Sequence, residues 1–162
     1  MQIVSSQTPP EYFFTVRLRN ARSDALVRHI ALFRHAVRLC RQTYPFEIGA
    51  AVVLPNRTHM IWTLPLDDPD YARRWLMIKG TFARHLPGDG RRNVSRGPEA
   101  VWQQRFWEIP IGTAAERAVY ERLIADAPVD EGLVREARDW PHGSAGLFAA
   151  AQAGAQSSVA SR

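Results

Sequence analysis

The residues best suited to chemistry in this 162-residue chain are one histidine in a strand-like run and a block of arginines downstream. In "AVVLPNRTHMIWTLP" (51–65) two apolar runs flank Pro55-Asn56-Arg57, and His59 stands at the start of the second. An imidazole there could ligate a metal, although a lone one on a strand more often makes a structural hydrogen bond. Between Arg73 and Arg105 the basic side chains are Arg73, Arg74, Lys79, Arg84, His85, Arg91, Arg92, Arg96 and Arg105, against only Asp89 and Glu99. Such a block suits a polyanion, because each neutralised phosphate releases condensed counterions. A solvated arginine-rich face would have the same composition. Trp62, Trp75, Trp102 and Trp107 read as packing residues first. Of these Trp102, beside Gln103, Gln104 and Arg105, is the candidate to stack on unpaired bases.

Composition narrows the class. The chain is long enough for one domain with its own core, at 46% apolar and 23% charged residues. Basic residues number 21 against 16 acidic ones, for a net charge of +5. The single cysteine, Cys40, excludes a disulfide framework and reads as a small core residue. No apolar run has membrane-spanning length, and "MQIVSSQTPPEYFF" lacks the basic-then-apolar pattern of a secretory leader. A cytoplasmic protein is the expectation.

The elements that must position these groups follow from periodicity. "EYFFTVRLR" (11–19) alternates Phe14, Val16 and Leu18 with Thr15, Arg17 and Arg19, as a strand does. Ser23 or Asp24 can cap a helix whose apolar positions are Leu26, Ile30, Phe33, Val37 and Cys40, ending before Pro45. Runs 46–54 and 58–64 form a hairpin. Asp68-Pro69 opens a second helix with the stripe Tyr71, Trp75, Ile78 and Phe82. The Gly-, Pro- and Arg-rich segment 86–100 reads as a flexible loop. "FWEIPI" (106–111) is a short strand whose Pro110 suits an edge, and "TAAE" (113–116) is a capping box opening a third helix to about Ala127. The order is β-α-β-β-α-β-α. It predicts an α+β fold, a ferredoxin-like antiparallel sheet with the helices packed on one face. Residues 1–10 are expected to be a flexible N-terminus, 11–144 the folded domain, and 145–162 a disordered Ala/Ser/Gly-rich tail.

Four stretches carry a family likeness: "PFEIGAAVVLPNRTHMIWTLP" (45–65), "RRWLMIKGTFARHL" (73–86), "VWQQRFWEIPI" (101–111) and "APVDEGLVREARDWPHGS" (127–144), with "YFFTVRLRN" (12–20) before them. In order and wording the chain resembles the REP-associated tyrosine transposases, single-domain relatives of insertion-sequence transposases that carry an HUH motif. The resemblance implies strand cleavage and transfer on hairpin DNA with a single-stranded flank. In that chemistry two strand histidines hold a divalent metal, Mg²⁺ or Mn²⁺, and a helix tyrosine attacks the phosphate. It further implies a polar side chain, usually Asn, four residues after the tyrosine. Family members act as monomers or homodimers.

Carried over position by position, only one of these groups is present. The second histidine of the motif maps to His59. The first maps to Arg57, whose guanidinium stays protonated and cannot ligate a metal. The tyrosine maps to Leu123 and the asparagine to Ala127. Three readings follow. The first is a DNA-binding protein that has lost cleavage and binds no metal, with Arg57, Arg73, Arg74, Lys79, Arg84, Arg91, Arg92, Arg96, Arg105 and Trp102 as DNA contacts. The second is an active nuclease with a relocated site of Tyr120, His59 and Asp126. The third is a decayed copy, or a protein-interaction module, with no DNA role.

Overall fold

Strand β1 (Glu11–Arg17) sits inside the sheet, paired with β3 (Arg57–Thr63) on one side and β4 (Trp107–Ile111) on the other. The computed structural model describes residues 7–87 and 97–144. With β2 (Glu47–Val53) outside β3, the sheet is antiparallel in the order β2-β3-β1-β4, matching the expected α+β, ferredoxin-like order. The expected tail 145–162 and part of the loop 86–100 lie outside the described residues.

One sheet face is apolar because Phe14, Val16 and Leu18 of β1 and its extension line up with Met60 and Trp62 of β3. Helix α2 (Ile30–Thr43) and helix α3 (Tyr71–His85) cover that face with Phe33, Val37, Cys40, Trp75, Ile78 and Phe82. Trp62 and Trp75 stack there with ring centroids 4.4 Å apart. Cys40 is fully buried, and burial raises its thiol pKa to about 11, so it stays protonated and inert.

Local chemistry sets the element ends. A short helix α1 (Ala25–Arg28) precedes α2, with His29 between them departing from helical dihedrals, so the first predicted helix is two pieces. Helix α2 stops at Tyr44, which precedes Pro45 and leaves helical dihedrals (φ -128°, ψ 89°), as the following proline favours. Helix α3 begins at Tyr71, later than Pro69, because Asp70 caps it by accepting from the Arg73 amide at 3.0 Å. After the short helix α4 (Pro98–Val101), Thr113 caps helix α5 (Ala114–Asp130) by accepting from the Glu116 amide at 3.1 Å. The Glu116 carboxylate accepts from the Gly112 amide at 2.7 Å, completing the predicted box one residue upstream of its usual partner.

The expectation that all helices share one face is corrected. Helix α5 packs on the opposite face, where Ile124 and Ala127 meet Phe13, Ala50, Val52, Leu54 and Ile61. Thr15 therefore points into packed protein rather than water and is 6% exposed. After a 3-10 turn at Ala137–Asp139 the chain returns along the β2 edge. There the Val53 amide donates to the His142 carbonyl (2.7 Å), and Trp140 Nε1 donates to the Val53 carbonyl (2.9 Å). This strap occupies an edge that would otherwise offer free backbone groups. No helix among the described residues is long and apolar enough to cross a membrane.

Candidate functional site

The face beneath α5 is built in rows by strand register. Val52, His59, Thr15 and Trp107 form one row across all four strands. One step along it stand Arg57 and Arg17, paired with each other. On the other side lie Ile61, Phe13 and Ile109, which α5 covers.

His59 is buried, and its Nδ1 shares a 2.7 Å hydrogen bond with Thr15 Oγ1. Its ring stacks on Phe13 at 5.8 Å, and Phe13 in turn stacks on Tyr120 at 4.5 Å. Burial lowers the His59 pKa to about 4, the charges of Arg57 and then Arg17 push it further the same way, and Glu131 opposes them. The imidazole is neutral at physiological pH.

Arg57 is mostly enclosed and forms an ion pair with Glu131, the residue just past α5. Its Nη1 donates to Asn56 Oδ1 at 3.0 Å, while its buried Nε has no partner. Two guanidiniums thus flank the one imidazole. Among the described residues no three His, Cys, Asp or Glu side chains gather as a ligand set. A divalent cation needs oxygen or nitrogen donors without adjacent positive charge, so the side chains around His59 do not fit one.

The two α5 positions to which the resemblance assigns chemistry, Leu123 and Ala127, differ in their surroundings. Ala127 is buried in the cluster with Phe13 and Ile61, under the same roof as His59. Leu123 is 40% exposed and belongs to neither core cluster. Of the relocated set, Tyr120 stacks on Phe13, which stacks in turn on His59, while Asp126 faces Arg122 at 3.6 Å, one helical turn away.

Three residues expected to contact DNA are corrected. Arg74 is fully buried and donates to the carbonyls of Tyr44, Pro45, Asp68 and Asp70 and to the Asp68 carboxylate, at 2.9–3.1 Å. It staples the 44–45 and 68–70 segments together. Lys79 is 6% exposed, donates to the Gln103 carbonyl at 3.0 Å and lies over the Phe106 ring, and burial lowers its pKa to about 8. Trp102, 1% exposed, packs on Phe33 and Phe82 and donates Nε1 to the Lys79 carbonyl at 3.2 Å. It is a core residue that bridges to Leu18, and no base can reach it.

The remaining expected cations divide. Arg73 pairs with Asp68 at 2.8 Å and lies over the Tyr44 ring, whereas Arg84 and Arg105 are exposed. Arg91, Arg92 and Arg96 lie outside the described residues. Sequence reasoning passed over a second basic stripe, Arg34, Arg38 and Arg41, exposed on one face of α2. Their helical spacing was the available signal. It also treated Trp107 as packing, yet that ring is 66% exposed.

No family model matches the chain. It is 39% identical over 130 residues to the REP-associated tyrosine transposase of Escherichia coli K12, covering 80% of this chain and 73% of that protein. A Haemophilus influenzae protein given the same family name is 36% identical over 137 residues, covering 82% of this chain and 78% of its own length. Among solved structures, a REP-associated tyrosine transposase bound to a REP hairpin superposes with a TM-score of 0.75 at 36% identity. That match covers 89% of this chain and 81% of the other.

Proposed function

This chain belongs to the REP-associated tyrosine transposase family, and from that membership we propose that it binds hairpin DNA with a single-stranded flank and holds the strand without cutting it. The observation that carries the reading is the Arg57 guanidinium, paired with Glu131 beside a neutral His59, at the position where the resemblance puts a metal ligand. A fixed cation there can meet a phosphate by a charge-assisted hydrogen bond. The same cation excludes the divalent metal that would polarise that phosphate for attack. Leu123 and Ala127 supply neither a nucleophile nor an oxygen donor.

Binding in this reading draws on exposed Arg17, Arg34, Arg38, Arg41, Arg84 and Arg105 together with Arg57. Phosphate contacts position the strand and make affinity salt-dependent. The test incubates the full chain with a labelled hairpin bearing a 5′ single-stranded flank, across a salt series, with and without Mg²⁺ or Mn²⁺. Affinity is expected to fall steeply with salt, and denaturing gels are expected to show intact, unattached DNA. A covalent protein–DNA adduct would overturn the loss of cleavage. Absence of binding at low salt would overturn the DNA reading itself.

A further inference from the structure

We propose that Trp107 is a stacking platform for one unpaired base of the single-stranded flank, with Arg17 and Arg57 taking the adjoining phosphate. The inference rests on the DNA reading above and names the residue that would meet the single strand. Trp107 opens the edge strand β4 and is in register with Thr15, so its side chain stands on the α5 face in the row of His59. Helix α5 leaves the sheet at the Ile111 end of β4 and crosses to β2 and β3, where Glu131 reaches Arg57. At the opposite corner, past the buried Thr15, both Trp107 and Arg17 are exposed.

An indole 66% exposed leaves roughly 100–160 Å² of aromatic surface in water. The charge around it selects the occupant. Arg17 lies one strand over and one row along, about 8 Å from Trp107 by strand spacing and rise. Arg17 and Arg57 stand directly opposite each other, a like-charge pairing that disfavours the sheet unless an anion answers it. Glu131 answers only Arg57. Arg105, two residues before Trp107, adds a further exposed cation. The one carboxylate of β4, Glu108, faces the other side of the sheet toward Tyr71. A flat aromatic ring next to guanidiniums that have no carboxylate partner among the described residues fits a nucleotide, whose base stacks while its phosphate pairs.

The experiment compares affinities for a blunt hairpin and for the same hairpin with a single-stranded flank. The proteins are the full chain, Trp107→Ala and Trp107→Phe. Trp107→Ala is expected to weaken the flanked hairpin at least fivefold while leaving the blunt hairpin within twofold. Trp107→Phe, which keeps an aromatic face, is expected to recover most of the loss. Denaturant unfolding of Trp107→Ala close to that of the parent excludes a folding defect. An equal effect on both hairpins, or none on either, overturns the stacking proposal and leaves DNA binding standing. A change in oligomeric state on Trp107→Ala also overturns it, in favour of a second copy on the β4 edge. No binding of either hairpin by the parent chain overturns the DNA reading and this inference with it.

Discussion

The buried imidazole of His59 makes a quantitative prediction about pH. In the folded chain its pKa is lowered to about 4 by burial and by Arg57 and Arg17. Unfolding returns it to about 6.5, the value of a solvated histidine. Between those values the unfolded chain takes up a proton that the folded chain refuses, so stability falls as the pH drops through this window. The contribution is fully present above pH 6.5 and exhausted below about pH 4. At 7% exposure the ring is enclosed enough for the shift to count in full. Relative to pH 7, linkage gives a loss of about 2 kcal/mol at pH 5 and about 3 kcal/mol at pH 4. Carboxylates and His142 also titrate, so the assay must isolate His59. Urea unfolding of the parent and of His59→Gln at pH 7, 6 and 5 does this, because every other group is common to both. The parent is expected to lose about 2 kcal/mol more than the variant between pH 7 and pH 5. Parallel stability curves would refute the claim that the imidazole is held neutral beneath α5.

Three further outcomes follow from individual contacts. Glu131→Gln frees Arg57 and removes a carboxylate from the path of the strand, so DNA affinity at low salt should rise about two- to fivefold, measured by fluorescence anisotropy. A fall in affinity would mean that Glu131 orients Arg57 rather than competing for it. Arg74→Lys offers three donors where five bonds are now made, leaving buried carbonyls unpaired. It should cost about 3 kcal/mol in denaturant unfolding while leaving the DNA affinity of the folded protein unchanged. Trp102→Phe loses the bond to the Lys79 carbonyl and leaves a void, and should destabilise by about 2 kcal/mol with no effect on binding.

Strands and helices were legible because their signals are local. Alternation in 11–19 and the stripe Tyr71, Trp75, Ile78 and Phe82 are set by side-chain direction along one segment. The face covered by α5 was not legible, because Thr15 and His59 are polar residues that satisfy each other 44 positions apart. Thr15 alone read as the polar side of a strand, and His59 as a structural hydrogen-bonding residue whose partner the sequence does not name. Arg74 and Lys79 were misassigned by charge, although their phase told against it. Arg74 falls between Tyr71 and Ile78, and Lys79 between Trp75 and Phe82, on the buried side of the same helix. Long basic side chains are buried when carbonyls gather around them, and the distant ones, from Tyr44 and Pro45 for Arg74 and from Gln103 for Lys79, are brought near only by the fold. Trp102 and Trp107 exchanged roles for a related reason. The polar neighbours Gln103 and Gln104 suggested an exposed Trp102, whereas sheet register decides that Trp107 is the ring beyond the reach of α5.

Arg57, His59 and Glu131 are physically coupled, which bears on whether they work as one site. Burial lowers the His59 pKa most, and the positive charge at 57 lowers it further, so both hold the imidazole neutral. Glu131 in turn gives Arg57 a counter-charge, without which a mostly enclosed guanidinium would carry an uncompensated desolvation cost. Arg57 and Glu131 therefore make each other tolerable beside the neutral His59. If the set functions as a unit, Arg57→Ala should raise the His59 pKa toward its ordinary value and shrink the pH dependence of stability. The same change should cut affinity for the flanked hairpin. If decay alone filled these positions, DNA affinity in Arg57→Ala would be unchanged while the pH profile still shifted.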